Sequence, residues 1–171
     1  MTDSVRPRAA RTNCFDASAL VKVYTDEDGS ITVRNYFNSE PNKYTTPICY
    51  FETLNVFKMK RFYRKPPNNI TEDEYHKAAF ELSAWFSASS KNLPDLDLID
   101  PMTFPQVQSI ARKYSVDLSD AFQILSVKKG FASMMIVESQ TILVTADDGL
   151  ASAARSEGIK VWNVLKEQFP A

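Results

Sequence analysis

Asn13-Cys14-Phe15-Asp16-Ala17-Ser18-Ala19-Leu20-Val21-Lys22 and, far along the chain, Ile142-Leu143-Val144-Thr145-Ala146-Asp147-Asp148 share one pattern. Each is a short apolar run that reads as a strand, then an aspartate, then a helix. In open parallel sheets functional groups gather at the carboxyl ends of the strands. Two strands that each deliver an aspartate there put both acids on one rim. Asp16 and Asp147 can equally cap their helices, a role aspartate fills well, and the two roles are compatible. Asp148 is as well placed for capping as Asp147, which makes it the candidate structural member of that pair.

Outward from these two anchors the chain alternates strands with helices. Helices are expected over 17–24 and 31–38, with a turn at Asp28-Gly29-Ser30 between them. An extended piece at 43–46 precedes a helix opened by Thr46-Pro47, with threonine as cap and proline in the first turn. That helix runs to about Tyr63 and is broken at Pro66-Pro67-Asn68-Asn69. Thr71 and Glu74 have capping-box spacing. Beyond them Tyr75, Ala78, Ala79, Leu82, Trp85 and Phe86 recur at the helical period, so one face is apolar. Core packing or a dimer contact explains that face better than an aromatic platform for RNA. Residues 96–100 read as a strand, Thr103 and Gln106 as a second capping box, and 104–114 and a segment from Leu118 as helices. A strand at 141–145, a helix closed by Gly158 and a strand at 159–163 finish the pattern. Residues 131–140 carry no assignable signal. The alternation predicts a parallel sheet covered by helices.

Composition narrows the function. The chain has 171 residues, enough for one domain, read as 13–171 behind a loose polar tail over 1–12 that carries Arg6, Arg8 and Arg11. Its four glycines, Gly29, Gly130, Gly149 and Gly158, are too scattered for a glycine-rich phosphate loop. A formal net charge of −1 means that nucleic-acid binding must come from a local basic patch. Cys14 and Cys49 sit in apolar stretches and read as reduced core cysteines. With a single His76, no zinc-ligand spacing is present. No signal peptide or membrane span is expected, and a reducing cytoplasm is the simplest location.

Several acids do not fit a solvated surface. Glu52 is the only charged residue between Lys43 and Lys58. Its neighbours include Cys49, Tyr50, Phe51, Leu54 and Val56, so its carboxylate needs a cationic partner, either a metal or an unseen Lys or Arg. Asp117 has the position of an N-cap and Asp120 falls in the first turn of the same helix, where the helix dipole alone would favour it. Together Asp16, Glu52, Asp120 and Asp147 suggest one acidic pocket, with Asp117 and Asp148 in a second tier. Carboxylates crowded together repel, and a divalent cation relieves the repulsion. Oxygen-only ligation suits Mg2+ or Mn2+. Such an ion lowers the pKa of bound water and offsets charge on a phosphodiester in the transition state, so no histidine base is needed.

At these residues the chain resembles PIN domains, and especially VapC-type toxins, whose opening motif often reads Asp-x-Ser-Ala-Leu-x-Lys. Phe15 to Lys22 is similar to that motif. Glu52 in its apolar helix resembles the family's second acid, Asp120-Ala121 the third, and Thr145-Ala146-Asp147 the fourth. Gly158-Ile159-Lys160-Val161 is similar to the last strand. The resemblance extends from about Asn13 to Val164. The segment between Glu52 and Asp120 is longer than in many small PIN toxins. The resemblance implies a Rossmann-like three-layer α/β/α sandwich with a central parallel sheet. It further implies a metal-dependent endoribonuclease using Mg2+ or Mn2+, with Asp16, Glu52, Asp120 and Asp147 as catalytic and metal-site acids. Ser18 and Thr145 would orient those carboxylates or a bound water.

For RNA, the basic run Lys58, Lys60, Arg61, Arg64 and Lys65, interleaved with Phe62 and Tyr63, offers phosphate and stacking contacts. A solvated helix end explains the same run. Lys22, one turn beyond Ser18, is the other candidate. The implied role is the toxin of a toxin–antitoxin pair, with an RNA substrate, a small antitoxin whose tail inserts near the acids, and a second copy of the chain as an open possibility. Alternatives are a housekeeping PIN nuclease acting on ribosomal or transfer RNA, and a PIN fold kept for binding only, although all four acids are retained. A receiver-like domain would need an acidic pair at the first strand end and a lysine after the last, and neither stands clearly here.

Overall fold

A computed structural model describes residues 11–93, 95–130 and 141–168. The N-terminal tail, apart from Arg11 and Thr12, and the unassigned stretch 131–140 lie outside the described residues. Among those described, four strands form one parallel sheet in the order β2-β1-β3-β4: β1 (Thr12–Phe15), β2 (Lys43–Tyr44), β3 (Thr141–Thr145) and β4 (Lys160–Asn163). Seven helices among the described residues surround it: α1 (Ala17–Tyr24), α2 (Ser30–Ser39), α3 (Pro47–Phe62), α4 (Glu72–Ser89), α5 (Phe104–Tyr114), α6 (Leu118–Lys129) and α7 (Asp148–Ser156). This is the three-layer arrangement expected from the alternating pattern.

The period-2 geometry of the strands sorts their side chains into two cores. Phe15, Ile142, Val144 and Trp162 face one layer, with Leu20, Val33, Phe37, Phe57 and Leu82 from α1 to α4. Cys14 and Leu143 face the other, with Val107, Ile110, Ile124 and Leu150 from α5 to α7. Neighbouring residues of one strand thus serve opposite layers, and burial on both faces explains why β3 is apolar over its centre, Ile142 to Val144. The apolar face of α4 packs into the first core: Ala78 and Leu82 are buried, with Tyr75, Ala79 and Trp85 against them. Phe86 stacks on Tyr50 with ring centroids 4.3 Å apart. The Thr71–Glu74 capping box forms as its spacing requires.

Two local expectations fail. Residues 96–100 form turns, not a strand. Asp97 Oδ1 accepts from the Ile99 amide at 3.0 Å, and Asp100 Oδ1 accepts from the Met102 amide at 2.5 Å. Aspartate side chains thus satisfy the backbone locally, an Asx-turn habit that competes with a sheet ladder. Leu98 and Ile99, two of the three apolar residues of that run, are exposed. Thr103 makes no side-chain cap on α5, because its own backbone is already helical. The preceding turn places the Thr103 carbonyl to accept from the Gln106 and Val107 amides, and Gln106 Nε2 donates to the Met102 carbonyl instead.

Leu143 is fully buried in the middle of β3. Leu143→Ala is expected to lower the unfolding free energy by about 2–5 kcal/mol, measured by urea denaturation; a loss below about 1 kcal/mol would show that this strand is not central to the packing.

Candidate metal centre

Parallel pairing of β1 and β3 builds the centre. Phe15 lies opposite Val144, and the Asp16 amide donates to the Val144 carbonyl at 2.9 Å. Asp16 therefore leaves the sheet beside Thr145. Its carboxylate caps α1, with Oδ2 accepting from the Ser18 amide at 3.1 Å, the Ser18 hydroxyl at 2.5 Å and the Thr145 hydroxyl at 3.0 Å. Ser18 Oγ accepts in turn from the Ala146 amide at 2.8 Å, and Thr145 Oγ1 accepts from the Asp147 amide at 3.0 Å. Two hydroxyls thus fasten the ends of β1 and β3 to each other and fix the orientation of the Asp16 carboxylate. Oδ1 lies 3.9 Å from Cys49 Sγ.

Glu52 comes to the same place from α3. One ligand atom from each of Asp16, Cys49 and Glu52 lies within 4.8 Å of the other two. Among the described residues no cation faces Glu52. Burial raises its carboxyl above the ordinary range, a Ser119 hydrogen bond opposes that, and Asp16 and Asp117 add to it. The expected alternative of a Lys or Arg partner is therefore not met among the described residues. Asp120 and Asp147 stand outside this tight group but share its field. Burial, then Asp117, Asp16, Asp147 and Glu52, push the Asp120 carboxyl from an ordinary 3.8 to about 7. Burial also raises Asp16, against the hydrogen bonds from Ser18 and Thr145.

The two caps are assigned differently from expectation in one case. Asp117 caps α6, accepting from the Asp120 amide at 2.9 Å. At α7, however, the cap is Asp147, whose Oδ1 accepts from the Leu150 amide at 2.8 Å, and not Asp148. Asp148 turns to β4, accepting from Asn163 Nδ2 at 2.7 Å. A Cβ at Gly149 would sit 3.1 Å from Asp147 Oδ1, so glycine leaves that carboxylate room.

The basic candidates separate. Lys22 and Lys60 are buried, and each ion-pairs with Glu27 at 2.7 Å. Burial pushes the Glu27 carboxyl up, but the two lysines outweigh it and hold the group below its ordinary value. Arg61 pairs with Glu72 at 2.7 Å. Lys58, Arg64 and Lys65 are exposed. A groove of about 530 Å³ lined by Ser18, Lys22, Glu27, Lys60 and Arg64 runs off the acidic rim.

Two further residues lie beside the acids. Cys49 is a free, fully buried cysteine, as expected, and its position three residues before Glu52 on one helix puts both on one face. Its thiol donates to Gln123 Oε1 at 2.7 Å, and burial, followed by Asp16, raises it well above the ordinary thiol range. Gln123 gave no sequence signal, because a glutamine in a helix is ordinarily a surface residue.

The donor set fits a divalent cation: oxygens oriented by hydroxyls, a common negative field, and no Lys or Arg at Glu52 among the described residues. The PIN domain family profile matches residues 14–156. No curated protein matches the chain. Among solved structures it is similar to the crystal structure of PAE2754 from Pyrobaculum aerophilum, with a TM-score of 0.56 and 18% sequence identity over 90% of this chain and 92% of that one. At that identity the likeness speaks for the fold alone.

A carboxyl whose folded pKa exceeds its unfolded one binds more protons when folded, so stability falls as pH rises between the two values. For Asp120 that window runs from 3.8 to about 7. In EDTA, the melting temperature should therefore drop between about pH 5 and pH 7. Asp120→Asn should flatten the slope, and Mg2+ should raise the wild-type melting temperature at neutral pH. A pH-independent melting temperature in EDTA, unchanged by the variant, would remove the case for a crowded acidic centre.

Proposed function

This chain belongs to the PIN domain family, and from that premise we propose that it is an endoribonuclease that hydrolyses RNA phosphodiester bonds with Mg2+ or Mn2+. PIN domains are typically metal-dependent nucleases, and this one keeps an acidic cluster able to hold a metal. The observation that carries the reading is the convergence of Asp16, Glu52 and Asp147 around Asp120, whose carboxyl is raised to about 7 by burial first, and then by Asp117 and these three acids.

Asp16, Glu52, Asp120 and Asp147 would hold the ion, with Asp117 and Asp148 in supporting positions. The ion supplies a water of lowered pKa and offsets charge on the phosphoryl oxygens. The protein's own contributions are orientation and proton affinity. Ser18 and Thr145 fix one oxygen of Asp16, so the other is presented in a constant direction. Asp120, which burial and its acidic neighbours push toward protonation in the metal-free pocket, would be held ionised by the cation and so would serve as one of its ligands. RNA phosphates would meet Lys58, Arg64 and Lys65, which are exposed at and beyond the end of the helix that carries Glu52. Lys58 lies about 9 Å along the α3 axis from Glu52. Lys22 and Lys60, buried against Glu27, would brace the groove beside Ser18 without meeting the phosphates, and Arg61 is engaged by Glu72.

The opening motif, Phe15 to Lys22, favours the toxin of a toxin–antitoxin pair over a housekeeping nuclease. In that case a small antitoxin would approach the acids and suppress cleavage. No helix among the described residues is long and apolar enough to cross a membrane, in keeping with an RNA substrate in the cytoplasm.

Purified protein should cleave a mixed RNA pool with Mn2+ or Mg2+, and stop in EDTA. Asp120→Asn, purified identically, should lose at least about a hundredfold in rate. Equal cleavage by the variant would mark a contaminant and remove the assignment. Asp16→Asn keeps an acceptor for the cap on α1, so it should abolish cleavage while circular dichroism shows an intact fold; unfolding instead would make Asp16 a structural residue.

A further inference from the structure

Cys49 is fully buried and belongs to the layer beneath the acids, yet its sulfur reaches the centre. It shares the tight group with Asp16 and Glu52, and Sγ stands 3.9 Å from Asp16 Oδ1. A zinc ion binds sulfur at about 2.3 Å and carboxylate oxygen at about 2.0–2.2 Å. At a tetrahedral angle those two ligand atoms lie about 3.5 Å apart. The observed spacing is thus a few tenths of an ångström from bridging geometry, within reach of a small side-chain rotation. Cys14, the second cysteine, is held differently: Gln123 Nε2 lies 3.9 Å from its sulfur, and it takes no part in the tight group.

We propose that this centre is a mixed carboxylate–thiolate site, in which a thiophilic divalent cation such as Zn2+ or Cd2+ binds through Cys49 Sγ together with Asp16 and Glu52 and displaces the ion that supports hydrolysis. The inference rests on reading the acidic cluster as the nuclease metal centre. On binding, the Cys49 S–H bond breaks, a sulfur–metal bond forms, and the proton leaves to solvent. Gln123 Oε1 loses the hydrogen it accepts at 2.7 Å. Thiolate ligands select soft ions, whereas carboxylates suit Mg2+ and Mn2+. Hard ions therefore have no means of displacing the proton of a buried thiol, and use the oxygens alone. The same pocket separates ions that permit cleavage from ions that arrest it.

Cadmium is the probe, because a cadmium–thiolate bond gives an ultraviolet charge-transfer band that carboxylates cannot give. Full-length protein is titrated with Cd2+ and, separately, with Mn2+ followed by calorimetry. The band should saturate at one equivalent in the wild type and in Cys14→Ser, and vanish in Cys49→Ser and Cys49→Ala. Cys49→Ser should weaken Cd2+ by at least about tenfold and shift Mn2+ affinity by no more than about twofold. Since Cys14→Ser alone isolates Cys49, the test stands even if the Cys49 variants fold poorly. Mn2+ binding without a cadmium band in the wild type overturns the mixed site and leaves the nuclease centre intact. A band that disappears with Cys14 instead of Cys49 also overturns it. Failure of both ions to bind removes the mixed site together with the nuclease reading.

Discussion

The Asp16 amide donates to the Val144 carbonyl at 2.9 Å, one residue past the last paired positions of β1 and β3. That bond sets where the first acid leaves the sheet, and the rest of the centre follows from it. With the two strands in this register, Ser18 and Thr145 meet at 3.2 Å and both reach Asp16 Oδ2. A slip of one residue would exchange the two core layers, sending Phe15 toward the helices that now receive Cys14. Burial on both faces of β3 makes such a slip costly, so the apolar packing of the sheet also sets the register of the acids.

A second constraint ties α1 to α3. Glu27, on the turn after α1, binds Lys22 from α1 and Lys60 from α3. Removing one member of a buried ion pair leaves an uncompensated charge, which is far more damaging than the intact pair is stabilising. The triad therefore acts mainly to fix how the two acid-bearing helices approach. It also explains why a basic run that looks continuous in sequence is divided in the fold. Lys60 points inward with Lys22, while Lys58, Arg64 and Lys65 remain at the surface.

The architecture was legible because its signals are local. Short apolar runs ending in an aspartate, a threonine–proline helix start and the Thr71–Glu74 capping box each involve residues a few positions apart. The errors arose where local signals compete. In 96–100 the alternation of leucine and aspartate mimics a strand, but aspartate carboxylates can close turns on their own backbone. Asp147 and Asp148 differ only in which one the chain turns inward, and the Thr145–Asp147 hydrogen bond that decides it is a product of the folded rim. Convergence on the acids was legible as a pattern of strand ends, but the participation of Cys49 was not, because a thiol in an apolar run reads as a hydrophobe until its tertiary neighbours are known.

The centre also shows why a fold with a net charge of −1 can be suited to a polyanion. Without a cation the cluster is crowded: burial and neighbouring acids raise Glu52 and Asp120, and at neutral pH Asp120 is caught between its charged and neutral forms. A divalent cation held there would take the place of those protons and reverse the sign of the local field. An approaching phosphodiester would then meet positive charge at the rim, while the remaining carboxylates on the surface would repel strands that arrive elsewhere. Selective placement of a polyanion would thus arise from the same crowding that raises Asp120, and would need no excess of basic residues over the protein as a whole.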